Sequence, residues 1–442
     1  MTTPVDNASG VEIGRRSEAL GGPGDLEATL LQRAPRHLYL DGQWREAEDG
    51  RLLTVEDPST GAELCAIANA GEADAAAAID AAARSQAEWS DEPPAARAEL
   101  LWRAYELLRV HTHELAVVLT LEMGKPISES RGEIEYAADF FRWFSGEAER
   151  VAGDYRAAPN GASRMLVMRQ PVGPSYLITP WNFPMAMGAR KLAPALAAGC
   201  TVVWKPAQQT PLSALALAEL LERAGLPAGV LNVIPSSDAA AVSAPIIGDS
   251  RLRKLSFTGS TGVGRRLIAQ AADSVLNVSM ELGGNAPFLV FEDADLDAAV
   301  SGAIQAKMRN GGEACTAANR FLLHEEVADE FATRLARRLG GLRVGRGIEP
   351  GTELGPLIDA VQQEKVAELV DDALAAGARR LGRADRVSDG PGYFYPPTVL
   401  VDVPATARLL REEIFGPVAP ITTFSSEAEA IEGANPIATP PV

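Results

Sequence analysis

The chain has 442 residues, 46% hydrophobic and 23% charged, which is ordinary for a globular protein and enough for two or three packed units. A formal net charge of −18 argues against nucleic acid or an anionic membrane as partner, and no apolar run reaches the roughly 18 residues of a membrane span. Three widely spaced cysteines, Cys65, Cys200 and Cys315, fit a reducing, cytoplasmic setting, and four histidines without cysteine company give metal binding no support.

In chain order, residues 1–35 are rich in Gly, Pro and charge and read as a flexible arm without the apolar segment of a secretory signal. HLYLDGQWREAEDGRLLTVEDPSTGAEL then predicts short strands broken by Asp-Gly and Ser-Thr-Gly turns. From Gly71 to about Val151 apolar residues recur at three-to-four spacing, which predicts helices. Residues 152–171 read as a protruding hairpin. After it, PSYLIT, CTVVWKP, VLNVIP, KLSFTG and NVSMELGG are short apolar runs separated by helical or turn-rich segments, as in a parallel sheet covered on both faces. A second series starts at APFLVFED and continues through DLDAAVSGAIQAKMR, FLLHE, VADEFATRLARRL and TVLVDV. The fold class is α/β, with two domains meeting in a cleft.

Five segments carry chemistry. RNGGEACTAANR places Cys315 after two glycines that permit a tight turn; the alternative is a small core cysteine. SFTGSTGVGRR is a glycine-rich strand-to-helix turn suited to a phosphate, although many such turns carry glycine without one. MELGGN sets Glu281 at a strand end, where a surface or capping glutamate is the alternative. TPWNFPMAMGARK brackets Trp181 and Asn182 between prolines, and an asparagine so placed can donate its amide into a cleft. KPAQQTP puts Lys205 just past a strand end, where open α/β sheets bind ligands.

The order and spacing of these segments, with Glu281 and Cys315 standing 34 residues apart, resemble the aldehyde dehydrogenase superfamily from about His37 to Asn435. The resemblance implies Cys315 as nucleophile, Glu281 as general base and Asn182 as oxyanion donor. It implies an NAD or NADP site built from Thr179, Pro180, Trp181, Lys205, Pro206, Ala207, Gln208, Gly259, Ser260 and Leu282, with Glu413 and Phe415 of EEIFGPV at the nicotinamide ribose. It makes 36–151 and 172–283 the cofactor-binding domain, 284–435 the catalytic domain and 152–171 an oligomerisation hairpin, so that a homo-oligomer is expected.

Arg190, nine residues after Trp181, and Arg309, six before Cys315, match positions that hold the substrate carboxylate in succinate-semialdehyde dehydrogenases; ordinary surface ion pairs are the alternative. The expected reaction is oxidation of an aldehyde, succinate semialdehyde by resemblance, to its carboxylate through a cysteine thiohemiacetal and thioester. The alternatives are a dehydrogenase of another small aldehyde, or a catalytically silent protein of the same fold. Ala317 stands where some relatives carry a second, redox-active cysteine. Gln208 stands where NAD-preferring relatives commonly carry a glutamate, so NADP is expected to be accepted. The last residues, 436–442, depart from the family. A missing C-terminal segment is expected to cost activity and to leave apolar surface and a strand edge exposed.

Overall fold

The computed structural model describes residues 23–382 and 390–435. Of the arm expected over residues 1–35, residues 1–22 lie outside the described residues, and Pro23–Arg33 is a helix (α1). Its Leu30 and Leu31 pack on the neighbouring core, and Glu27 pairs with Arg346 at 3.0 Å. Burial of one apolar face, which composition does not register, gives this stretch its order. The tail expected at 436–442 lies outside the described residues.

Short strands follow as predicted: β1 (Leu38–Leu40), β2 (Gln43–Arg45), β3 (Leu52–Asp57) and β4 (Ala62–Ala68). The helical region comprises α2 (Glu72–Asp91), α3 (Pro94–Val110), α4 (Thr112–Met123) and α5 (Ile127–Ala148). Gly124 ends α4 at φ +91, and a Cβ there would stand 2.7 Å from the Pro356 ring, so the turn into α5 needs glycine twice over. The hairpin is β5 (Asp154–Ala157) paired antiparallel with β6 (Arg164–Val167), and it stands clear of the cores.

The first sheet continues with β7 (Ser175–Ile178), α6 (Pro184–Ala197), β8 (Val202–Lys205), α7 (Pro211–Arg223) and β9 (Leu231–Val233). Then come α8 (Ala239–Ile247), β10 (Lys254–Gly259), α9 (Thr261–Ala272) and β11 (Asn277–Leu282). Strand order is β11-β10-β7-β8-β9-β1-β2, with β7 to β11 parallel to their neighbours and β1 antiparallel to β9. Side chains alternate between two cores. Leu177, Val202 and Trp204 face one, while Tyr176, Val203 and Phe257 face the other. The chain runs from β7 outward to β9, then returns to place β10 against the other edge of β7. That reversal opens a crevice beyond the C-terminal ends of β7 and β10.

Only Gly283, Gly284 and Asn285 separate β11 from β12 (Ala286–Val290) of the second sheet. There follow α10 (Leu296–Met308), β13 (Ala318–His324), α11 (Glu325–Leu339), α12 (Ala360–Ala375), β14 (Arg379–Leu381), β15 (Thr398–Val401), β16 (Val418–Phe424) and α13 (Glu427–Ala434). Strand order is β12-β13-β16-β15-β14, with only β14 antiparallel. The three-residue link turns the C-terminal end of one sheet into the N-terminal end of the other, and the segments preceding β13 and β16 therefore meet the crevice.

Candidate active site

A cleft of about 520 Å³ lies where the two sheet ends face each other. Cys315 enters it from the segment before β13. A tight turn, Arg309–Gly312, precedes it, with Asn310, Gly311 and Gly312 in the left-handed region at φ 54, 62 and 80. A Cβ at Gly312 would stand 2.3 Å from the Gly416 carbonyl oxygen, so glycine is what lets the cysteine loop lie on the Glu413–Phe415 loop. Cys315 is exposed as a residue at the cleft, whereas Cys65 and Cys200 are buried. Loss of water around its sulfur and the Glu413 carboxylate push its pKa up, while a backbone hydrogen bond and Arg190 pull it down and Glu281 adds to the rise.

Asn182 follows β7 and is buried. Its Nδ2 donates to the Glu313 carbonyl oxygen at 2.9 Å, and its Oδ1 accepts the Phe183 amide at 3.1 Å. Among the described residues the second Nδ2 hydrogen has no acceptor, and the side chain lines the cleft beside Cys315. Glu281, at the end of β11, lines the same wall; Arg190 of α6 faces it, Nη2 to Oε1 3.7 Å. Arg309 reaches the cleft with its guanidinium carbon 4.8 Å from the centre of the Phe183 ring, and Lys125 sits 4.1 Å from the same ring. Both arginines named from the sequence therefore line the same cleft as the cysteine.

The residues named for a dinucleotide divide into two groups. Pro180, Trp181, Gly259, Ser260, Leu282, Glu413 and Phe415 line the cleft with Cys315, and Trp181 meets Phe415 edge-on at 5.3 Å. Thr179, Lys205, Pro206, Ala207 and Gln208 do not line it. Thr179 Oγ1 accepts the Trp204 indole N–H at 2.9 Å, and the Lys205 ammonium donates to the Pro206 carbonyl oxygen at 3.1 Å. Burial lowers the pKa of Lys205 to about 8. Pro206 and Ala207 are buried and Gln208 is exposed, at the C-terminal end of β8.

Glu413 offers a direct test of fit. Its Oε1 is buried without a hydrogen-bond partner, which suits a hydroxyl donor such as a ribose. Burial raises its pKa; Lys365, the Gly284 amide and Lys307 oppose that rise.

The aldehyde dehydrogenase family matches residues 44–438. The chain belongs to that family. It is similar to a succinate-semialdehyde dehydrogenase of Paenarthrobacter nicotinovorans, 55% identical over 372 residues, covering 84% of this chain and 82% of the relative. A glutarate-semialdehyde dehydrogenase of Pseudomonas putida is 47% identical over 397 residues, covering 90% and 82%. Among solved structures, an E. coli NADP dependent enzyme superposes with a TM-score of 0.89 at 46% identity, covering 92% of this chain and 84% of that one. As an aldehyde dehydrogenase, the protein is an α/β oxidoreductase that acts on aldehydes.

This aldehyde dehydrogenase has cleft residues that the sequence reading missed. Gln362 of α12 donates from Nε2 to the Phe415 carbonyl oxygen at 2.6 Å, holding the loop that carries Glu413. Lys365, one turn further on, also lines the cleft, and burial lowers its pKa. In QQEKVAEL these polar residues look like a solvated helix face, and no local signal separates them from one. Thr258 and Thr316 adjoin motif residues and were legible only as their neighbours.

Proposed function

We propose that this aldehyde dehydrogenase oxidises succinate semialdehyde, or another short aldehyde ending in a carboxylate, with NAD(P)+. The observation that carries the reading is the convergence of Cys315, Asn182 and Glu281 with two arginines on one cleft. The Cys315 sulfur, in the cleft and once deprotonated, adds to the aldehyde carbon. The unengaged Nδ2 hydrogen of Asn182 and the Cys315 backbone amide donate to the resulting oxyanion. Bound NAD(P)+ supplies the acceptor for the hydride that leaves this carbon. Cys315 then holds the acyl group as a thioester, and Glu281 takes a proton from the water that hydrolyses it.

The carboxylate preference rests on Arg190 and Arg309, whose planar guanidinium groups match a carboxylate. It agrees with the similarity to dehydrogenases named for succinate and glutarate semialdehydes. For the cofactor, the β7–β11 unit supplies the seat, with Glu413 taking a ribose hydroxyl. The neutral, exposed Gln208 and the nearby Lys205 favour acceptance of a 2′-phosphate, in keeping with the likeness to an NADP dependent enzyme. Residues from 284 onward supply the nucleophile.

A homo-oligomer is part of the same reading. Tyr155, Leu166 and Met168 of the hairpin region are 69%, 67% and 71% exposed, and apolar side chains grouped in this way favour burial against a second copy. Three unpaired cysteines fit a cytoplasmic setting, and no helix among the described residues is long and apolar enough to cross a membrane. The deciding experiment follows reduced nicotinamide by absorbance with succinate semialdehyde and butanal, each with NAD and NADP. Equal kcat/KM for the two aldehydes would remove the arginines from substrate selection.

A further inference from the structure

Lys125, Glu129 and Glu133 touch no reacting atom in this scheme, yet they join the two segments that carry its chemistry. Glu129 and Glu133 stand four apart on α5, hence on one helical face. Glu133 Oε1 accepts the amides of Met185 at 2.9 Å and Ala186 at 3.1 Å, in the first turn of α6, just after Asn182. Glu133 Oε2 accepts from Lys125 Nζ at 2.7 Å, and both side chains are only 1% exposed. The same Nζ donates to the Asn182 carbonyl oxygen, also at 2.7 Å. Glu129 Oε2 accepts the Asn310 amide at 2.7 Å, holding a non-glycine residue at φ 54 in the cysteine loop. Asn310 Nδ2 closes the circuit by donating to the carbonyl oxygens of Asn182 at 2.9 Å and Glu313 at 3.1 Å. Both lone pairs of the Asn182 carbonyl are thereby used.

We infer that Glu129 and the Lys125–Glu133 pair are positioning residues, through which α5 holds the Asn182 turn and the Cys315 loop at the spacing that lets both donors meet one oxyanion. The inference rests on the roles given above to Cys315 and Asn182. A buried ion pair is costly to desolvate, and packed apolar side chains would serve stability as well. Hydrogen bonds to backbone atoms on either side of the cleft instead set a distance, which apolar contact does not. Misplacing a reacting group by about 1 Å costs on the order of 100-fold in rate.

The test compares two reactions of Cys315 in the full chain. Acylation by p-nitrophenyl acetate passes through an oxyanion, whereas alkylation by iodoacetamide does not; Cys65 and Cys200 are buried and stay silent. Glu129→Ala is expected to slow acylation on the order of 100-fold while alkylation changes little. Glu129→Gln, which keeps an acceptor for the Asn310 amide, is expected to recover most of the loss. Should Glu129→Ala not fold, Glu129→Asp, which withdraws the acceptor, serves the same comparison. In an Asn182→Ala background the Glu129 substitution is expected to add little, because both act through one interaction. Equal loss in both reactions, no recovery with Gln, or fully multiplying effects with Asn182→Ala would overturn the inference. Unchanged acylation in Asn182→Ala alone would overturn the oxyanion assignment beneath it.

Discussion

The guanidinium of Arg190 stands 3.7 Å from the carboxylate of Glu281, with side chains 44% and 57% exposed. A pair so open to water contributes roughly 0–1 kcal/mol. On the proposed reading, little then holds Arg190 to Glu281, and a substrate carboxylate can draw the guanidinium away at small cost.

Arg190→Ala and Arg309→Ala are each expected to raise KM for succinate semialdehyde about 10-fold or more relative to butanal, which corresponds to a charge-assisted hydrogen bond of roughly 1.5–3 kcal/mol. Steady-state kinetics with both aldehydes measures the ratio. An equal change for the two would reduce the arginines to supports of the fold.

Cys315→Ala is expected to abolish oxidation and leave cofactor binding intact. Glu281→Gln is expected to acylate and then stall, so that intact mass after one turnover shows the enzyme carrying the acyl group. Wild-type turnover in Glu281→Gln would take the general-base role away from it.

The pKa of Cys315 is raised, first by loss of water and then by Glu413, so its thiolate forms at higher pH than that of a free thiol. The iodoacetamide rate of the free enzyme is expected to keep climbing through the ordinary thiol range. Glu413→Gln removes a negative charge that opposes the thiolate, and its profile should move to lower pH. Arg190→Ala removes a positive charge and should move it to higher pH. Shifts of the opposite sign would contradict the electrostatics of the cleft.

Gln208 is exposed, so Gln208→Glu changes charge without disturbing packing. The ratio of kcat/KM for NADP to that for NAD is expected to fall on this substitution, because a carboxylate repels a 2′-phosphate. An unchanged ratio would place cofactor choice elsewhere.

Element type and many residues of the candidate site were legible in the amino-acid sequence by itself. Largely apolar runs such as CTVVWKP and KLSFTG marked β8 and β10, because a strand buried on both faces is mostly apolar. The motifs around Asn182, Glu281, Cys315 and Glu413 named residues that do meet in one cleft. What the sequence could not convey was which polar residues lie inside the fold. Glu129, Glu133, Gln362 and Lys365 occupy helices as ordinary polar positions, and α1 looked like an arm. Local periodicity reports the environment of an element averaged over its face, whereas the partner of a single side chain depends on where the chain returns. Here β10 returns to the free edge of β7, and a three-residue link then turns β11 into the second sheet. Only that crossing sets α5 against both the Asn182 turn and the Cys315 loop, and brings α12 to the mouth of the cleft.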